Sequence, residues 1–247
     1  MIRSRYTIQV QAVFTLYDIL TGRPVQPGNV RFFLPEGGRI TYKEGGYYVL
    51  TGCRDTQITL AIESPVYERA EIAKKLGKPG VETDRVWLSP DSAYPGFCRF
   101  PYVKGRTEPY AQVRAAFVDS RQKIRLLKDY AAREEKTAIP VFCGEKTELA
   151  GRQIAAVSAK KHGWEAEFSV VQNIDETSGL CHIEKPFSGD LKKEDVCICP
   201  VFSTQADKEG SYRLLLPKEA AQAQLCFVFF EEKGKTKVQE TKILTDG

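Results

Sequence analysis

The feature that most constrains this chain is an alternation of period two near its start. Tyr6, Ile8, Val10, Ala12, Phe14 and Leu16 share one parity, so in an extended strand all of them project from one face. The strand stops at Asp18, Thr21-Gly22 makes a turn, Pro24-Val25 restarts the chain, and a second strand follows at residues 29–34. Gly37-Gly38 and Gly45-Gly46 punctuate two more, at residues 39–43 and 47–51, and residues 57–63 and 85–88 continue the series. Short alternating strands cut by turn glycines must each hide one face against another sheet, and this predicts the opening of a β-sandwich. Residues 67–76, Y-E-R-A-E-I-A-K-K-L, fit either a short helix with Ala70, Ala73 and Leu76 inward or a strand followed by a turn; Gly77 and Pro79 end both.

The chain has 247 residues, more than one domain of roughly 100–150 residues uses, so two domains are expected. The break is expected in the stretch S-P-D-S-A-Y-P-G-F-C-R-F-P-Y-V-K-G-R-T-E-P-Y, where each proline removes a backbone donor and disfavours helix for the residue before it. This places a first domain at residues 1–90, a linker at 91–109 and a second domain at 110–247. The second half is again strand-like, with candidates at 112–119, 123–130, 138–142, 153–159, 164–171, 180–184, 196–203, 211–216, 224–231 and 237–244. Turns such as Lys161-His162-Gly163 and Glu232-Lys233-Gly234-Lys235 separate neighbours in hairpin fashion. Residues 217–224 suit a single helical turn, since Pro is tolerated at a helix start. The fold class that follows is all-β, two tandem antiparallel sandwiches joined by a Pro- and aromatic-rich linker, with no motif repeated between the halves.

At this point the motifs D-I-L-T-G-R-P-V, V-R-F-F-L-P, K-E-G-G-Y-Y-V-L-T-G and Q-I-T-L-A-I-E-S-P-V-Y-E-R-A resemble the carboxypeptidase-regulatory-like or CnaB-type domain, a transthyretin-like β-sandwich. The resemblance covers residues of about 6–90. It implies that the turn Thr21 to Val25 closes the first strand and that Gly46 to Tyr48 supplies a strand packing a tyrosine into the core. It also implies a role as a spacer or attachment module. Members are usually secreted, whereas this N-terminus interrupts its apolar residues with Gln9, Gln11 and Thr15, a strand pattern and no signal-peptide core. The first strand has no lysine, so the internal isopeptide crosslink of some members is not expected.

Chemistry is sparse. The net charge is +4, and lysines and arginines are scattered without a block, so no nucleic-acid partner is expected. No apolar run approaches the ~20 residues of a membrane-crossing helix. Seven cysteines form no even framework, and Cys143, Cys197 and Cys226 lie in apolar runs where a thiol acts as a small hydrophobe, as in a reduced cytoplasmic protein. Cys181-His182 with Cys197 and Cys199 is the one cluster of metal-type ligands, but adjacent residues point to opposite faces of a strand and C-x-C reads as one face of a buried one. No metal and no cofactor are expected. Of the two histidines, His162 sits in a turn; the acid pairs Glu134-Glu135 and Glu231-Glu232 diverge on strands; no G-x-S-x-G, H-E-x-x-H or phosphate loop is present. The chain reads as no enzyme.

A binding surface is expected instead in the aromatic stretch. Tyr94, Phe97, Phe100, Tyr102 and Tyr110 with Arg99, Lys104 and Arg106 either pack the two domains together or form an aromatic and cationic patch for a sugar face or a protein. The functional expectation is a non-catalytic structural or adaptor protein acting through protein partners or self-association, made in the cytoplasm as a subunit of a larger bacterial or phage-tail-like assembly that is released or exported. The alternative is a carbohydrate-binding or hydrolase-accessory module using residues 94–110.

Overall fold

The computed structural model describes residues 9–76, 83–118, 124–134, 136–143, 149–160, 163–175, 177–232 and 235–246. The chain is all-β. It divides into two compact units, residues 1–95 and residues 96–247.

The first unit is built from β1 (Val10–Asp18), β2 (Arg31–Phe33), β3 (Arg39–Lys43), β4 (Tyr47–Thr51), β5 (Gln57–Glu63), β6 (Ala70–Lys75) and β7 (Thr83–Leu88). They form a four-stranded sheet, β3-β4-β1-β7, and a three-stranded sheet, β2-β5-β6. From Ala12 on the alternation does what it predicts; Val10, before the register shift, is 39% exposed, and Tyr6 and Ile8 lie outside the described residues. Ala12, Phe14 and Leu16 of β1, Tyr48 and Leu50 of β4, Leu88 of β7, and Ile58, Leu60 and Ile62 of β5 share one buried cluster. Each fully buried residue of this size contributes about 1.5–3 kcal/mol, and a one-residue slip would turn the whole set outward.

Three details depart from the simplest reading. β1 pairs antiparallel with β4 but parallel with β7, because the chain visits the other sheet through β5 and β6 before it returns, which supplies the crossover a parallel pair needs. A register shift between Val10 and Ala12 leaves Gln11 as the extra residue, and its amide donates to the Cys53 carbonyl at 2.7 Å and accepts from the Cys53 N–H at 2.8 Å. Residues 70–75, ambiguous by composition, form a strand against β5 with Leu60 opposite Ile72. Helix propensity of Ala, Glu and Lys is a weak preference that sheet pairing overrides, and the half-buried and exposed positions alternate along β6 with period two.

The second unit holds β8 (Tyr102–Arg106), β9 (Gln112–Val118), β10 (Ile124–Leu126), β11 (Ala138–Cys143), β12 (Gln153–Lys160), β13 (Gly163–Asp175), β14 (Leu180–Ile183), β15 (Val196–Pro200), β16 (Phe202–Gln205), β17 (Ser211–Leu215), β18 (Leu225–Glu232) and β19 (Lys235–Thr241). Six of them close into a barrel, β10-β11-β14-β13-β12-β15, beside a sheet β16-β9-β18-β19 and a pair β17-β8. The expected second sandwich is therefore a barrel with a sheet laid on its wall. Ile154, Ala156 and Ile198 point into the barrel with Ile139, Val171 and Ile183, while Ala155, Val157 and Cys199 point outward against Phe227 and Phe229 of β18. β12 and β15 are thus covered on both faces. That is why I-A-A-V and V-C-I-C read as unbroken apolar runs.

The interval expected to be a linker contains a strand. β8 pairs with β17 from Tyr102 opposite Leu215 to Arg106 opposite Ser211, and the boundary between units falls earlier, at Pro95. Proline density misled here because Pro101 and Pro109 flank the strand and interrupt none of its ladder bonds. The strand expected over 196–203 breaks at Val201, where the chain leaves the barrel as β15 and joins the other sheet as β16. Lys218–Gln222 makes the single helical turn expected there, of 3₁₀ type.

Candidate binding surfaces

The aromatic stretch is divided between the units, and Tyr94, Phe97, Phe100 and Tyr102 each have a side-chain partner in their own unit. Tyr94 packs on Tyr67 with centroids 5.7 Å apart and donates its hydroxyl to Asp18 Oδ2. Tyr67 donates to the same oxygen at 3.0 Å, and Asp18 Oδ1 accepts the N–H groups of Leu20 at 2.8 Å and Thr21 at 3.1 Å. Asp18 is 4% exposed. The T-G turn after β1 is therefore tied to a buried carboxylate that four donors satisfy. Burial and the hydrogen bond to Asp18 push the Tyr67 and Tyr94 hydroxyls well above the usual phenol range.

In the second unit Tyr102 and Phe97 hold Arg213, whose guanidinium lies 3.7 Å and 4.8 Å from their ring centroids. Arg213 ion-pairs with Asp246, and the Tyr102 hydroxyl donates to the same carboxylate at 2.9 Å. Hydrogen bonds from Arg213 and Tyr102 hold the Asp246 carboxyl below its usual range. The Lys218 ammonium stands 6.0 Å from the centre of the Phe100 ring. Arg99 is exposed at the end of a 3₁₀ turn. Tyr110 alone among these aromatics is open to solvent as a large ring, at 64% exposure. Lys104 and Arg106 are exposed on β8. Residues 94–110 thus supply internal locks more than one shared patch, and the partners Arg213 and Asp246 were invisible locally because they lie over a hundred positions away in the chain.

The metal-type residues do not converge. Cys181 belongs to the barrel core and Cys199 to the cluster on its outer wall. Burial pushes the thiols of Cys181 and Cys226 up to about 12 and raises Cys199 further, the opposite of the depressed pKa that makes a thiol reactive. Among the described residues no group of three or more His, Cys, Asp or Glu stands ready to hold a metal ion. His162 and Glu135 lie outside the described residues, Glu134 pairs with Lys136, and Glu231 is exposed on β18. A groove of about 430 Å³ in the second unit is lined by Phe117, Ile124, Arg125, Lys193, Cys197 and Leu225.

Two exposed surfaces were not foreseen. On the outside of the barrel, Leu127, just past β10 and 51% exposed, and Phe142 of β11, 56% exposed, stand with half-buried Pro140 and Leu180, and exposed Arg125 lies opposite Phe142. An apolar cluster of this kind is uncommon on a monomer surface. The signal was available: A-I-P-V-F-C alternates, and the parity of Ile139 and Val141 inside leaves Pro140 and Phe142 outside.

The second surface is the outward face of the β3-β4-β1-β7 sheet, opposite the buried parity of Phe14 and Leu50. Its register rows follow from the pairing. Thr41, Val49, Val13 and Thr83 form one row, and Lys43, Tyr47, Thr15 and Arg85 the next; Thr15 is buried, its hydroxyl donating to the Asp84 carbonyl at 3.4 Å, and Val13 and Arg85 are half-buried. Tyr17 and Trp87 sit side by side beyond them, centroids 5.1 Å apart, with the Arg85 guanidinium 5.6 Å from the Tyr17 ring centre. Tyr47 keeps its place because Gly45, at φ 87°, leaves room: a Cβ there would meet the Tyr47 ring at 2.9 Å. No position in these rows carries a carboxylate. Asp84 has the inward parity and pairs with Lys74 of β6 at 2.6 Å.

Compared with protein-family models and with curated proteins, the chain matches none.

Proposed function

We propose that this chain is a non-catalytic structural or adaptor protein, a subunit of a larger assembly that works through protein contacts. The observation that carries the reading is the apolar cluster of Leu127, Pro140, Phe142 and Leu180 on the barrel wall, which costs solubility unless another surface covers it. Two features agree with it. The thiols of Cys181, Cys199 and Cys226 are held neutral by burial, and Tyr48, the tyrosine that the transthyretin-like resemblance places in the core, is 3% exposed there. The family resemblance, the role of spacer or attachment module and the phage-tail-like setting belong to this proposal.

The test is light scattering with chemical crosslinking on the full chain and on a Leu127→Gln/Phe142→Glu variant. Both side chains are more than half exposed, so folding is expected to survive. Self-association or crosslinking that disappears in the variant supports the reading. A chain that stays at 27.8 kDa at high concentration and behaves the same in both forms, alone and with proteins encoded beside it, sinks it.

A further inference from the structure

We propose that the outer edge of β3 takes an extended segment of a partner protein as an added strand, one whose side chains alternate between apolar and acidic. This edge belongs to the first unit and does not depend on the barrel cluster. β3 is the end strand of its sheet, bonded to β4 on one side only. In an antiparallel pair every second residue turns its N–H and C=O away from the neighbour, and among the described residues these groups of β3 meet no backbone partner. The facing sheet ends here too. Phe32 of β2 and Tyr42 of β3 both pack on Tyr48, ring centres 5.0 Å and 5.3 Å away, so the two edges flank one opening. Along it the core is incompletely covered. Phe32, Leu34 and Ile40 are half-buried, Tyr42 is 44% exposed, and the buried Tyr48 hydroxyl has no hydrogen-bond partner among the described residues. The other two edges, β6 and β7, are laced by Lys74 and Asp84 at 2.6 Å, and no such pair joins β2 to β3 among the described residues.

An open ladder beside half-covered apolar side chains is what strand addition completes. The two faces of β3 then set the chemistry of the segment. Ile40 and Tyr42 have the inward parity, so the added strand is apolar on that side. Arg39 and Lys43, both exposed, stand on the outward face to either side of Thr41 and favour carboxylates across from them. A second copy of this chain is disfavoured as the occupant. Antiparallel self-pairing centred on Thr41 would set Arg39 against Lys43 twice, and like charges directly opposite repel. A sugar or nucleic-acid chain lacks the repeating amide that the open ladder matches.

The probe is a capped synthetic peptide of about six alternating glutamate and valine residues, titrated into the full chain. A lysine and valine twin and two twins N-methylated at alternate amides, one for each edge of the peptide, are the comparison arms. The expected result is saturable binding of the glutamate peptide, weakened by salt, about tenfold weaker for the lysine twin and lost when one edge is methylated. Arg39→Glu/Lys43→Glu, at two exposed positions, should keep the unfolding midpoint and reverse the preference toward the lysine peptide. Tyr42→Ala should lower affinity severalfold. No saturable binding of the glutamate peptide up to about 1 mM, equal binding of both methylated twins and their parent, or an unchanged preference in the charge-reversed variant overturns the proposal. Should that variant fail to fold, Arg39→Gln/Lys43→Gln takes its place: about tenfold weaker binding of the glutamate peptide supports the proposal, and equal binding overturns it. The Leu127→Gln/Phe142→Glu variant should bind the peptide as the parent does, so the two readings fail independently.

Discussion

Two polar nodes, one in each unit, use the same parts at different depths. Asp18 in the first unit gathers two tyrosine hydroxyls and two turn N–H groups while 4% exposed. Asp246 in the second gathers one tyrosine hydroxyl and one guanidinium, with side-chain exposures of 30% for Arg213 and 38% for Asp246. The difference teaches that burial decides what a hydrogen bond contributes. At Asp18 no water replaces a lost acceptor, and the full desolvation penalty of each orphaned donor remains. At Asp246 solvent steps in, and what holds Arg213 is mainly its ring contacts.

Replacing Asp18 by Ala is the largest test of this contrast. It orphans two buried hydroxyls and two turn donors, and should cost roughly 3 kcal/mol or more in urea unfolding of the first unit. Arg213→Ala should cost less, about 1–2 kcal/mol from lost ring contacts and a screened ion pair, and only this loss should shrink in high salt. A comparable cost for the two variants would erase the distinction. Within the first unit the contrast sharpens further. Tyr67→Phe removes a satisfied hydroxyl and should cost about 1 kcal/mol. Tyr48→Phe removes a hydroxyl that finds no hydrogen-bond partner among the described residues and should be neutral or stabilise by up to about 1 kcal/mol. Opposite signs in thermal melts are the expected outcome.

Alkaline pH weakens both nodes, since hydrogen bonding to Asp246 also raises the Tyr102 hydroxyl, whereas the acid loss belongs to Asp246. Tyr67, Tyr94 and Tyr48 are raised by burial, Tyr48 to about 12, from a phenol's usual 10.0. Above about pH 10 the unfolded chain releases these protons while the folded chain keeps them, so stability falls as pH rises through that window. Asp246 is lowered from 3.8 by Arg213 and Tyr102. Its contribution is present above pH 3.8 and fades as pH falls through the lower folded value, a smaller effect because the group is exposed. Chemical denaturation across pH, followed separately by fragments or probes in each unit, reads both; an alkaline loss confined to the second unit would contradict the assignment.

Much of the architecture was legible. Period-two alternation named Ala12, Phe14 and Leu16 as core residues of the first unit, because side-chain direction in a strand is a local property. Turn glycines placed β3 and β4 to the residue. What escaped was everything decided by distant partners. Proline density concealed β8, whose ladder is supplied by β17 about a hundred residues later. The aromatic stretch was read as inter-domain packing or a surface patch, and its own pattern did not show that Asp18 claims Tyr94 or that Arg213 and Asp246 claim Tyr102. Trp87 and Tyr17 drew no notice because β7 joins β1 only by the parallel return through β5 and β6.

The sequence by itself determined that this protein is built of strands, which face of each strand is apolar, and where most strands turn. Only the tertiary structure decided that six strands close into a barrel, that β12 and β15 are covered on both sides, and which rings are locked and which remain on a face. The reason is one of range: alternation and turn chemistry act between neighbours a few residues apart, whereas closure, pairing order and burial depend on contacts between residues far apart in the chain, which no local pattern encodes.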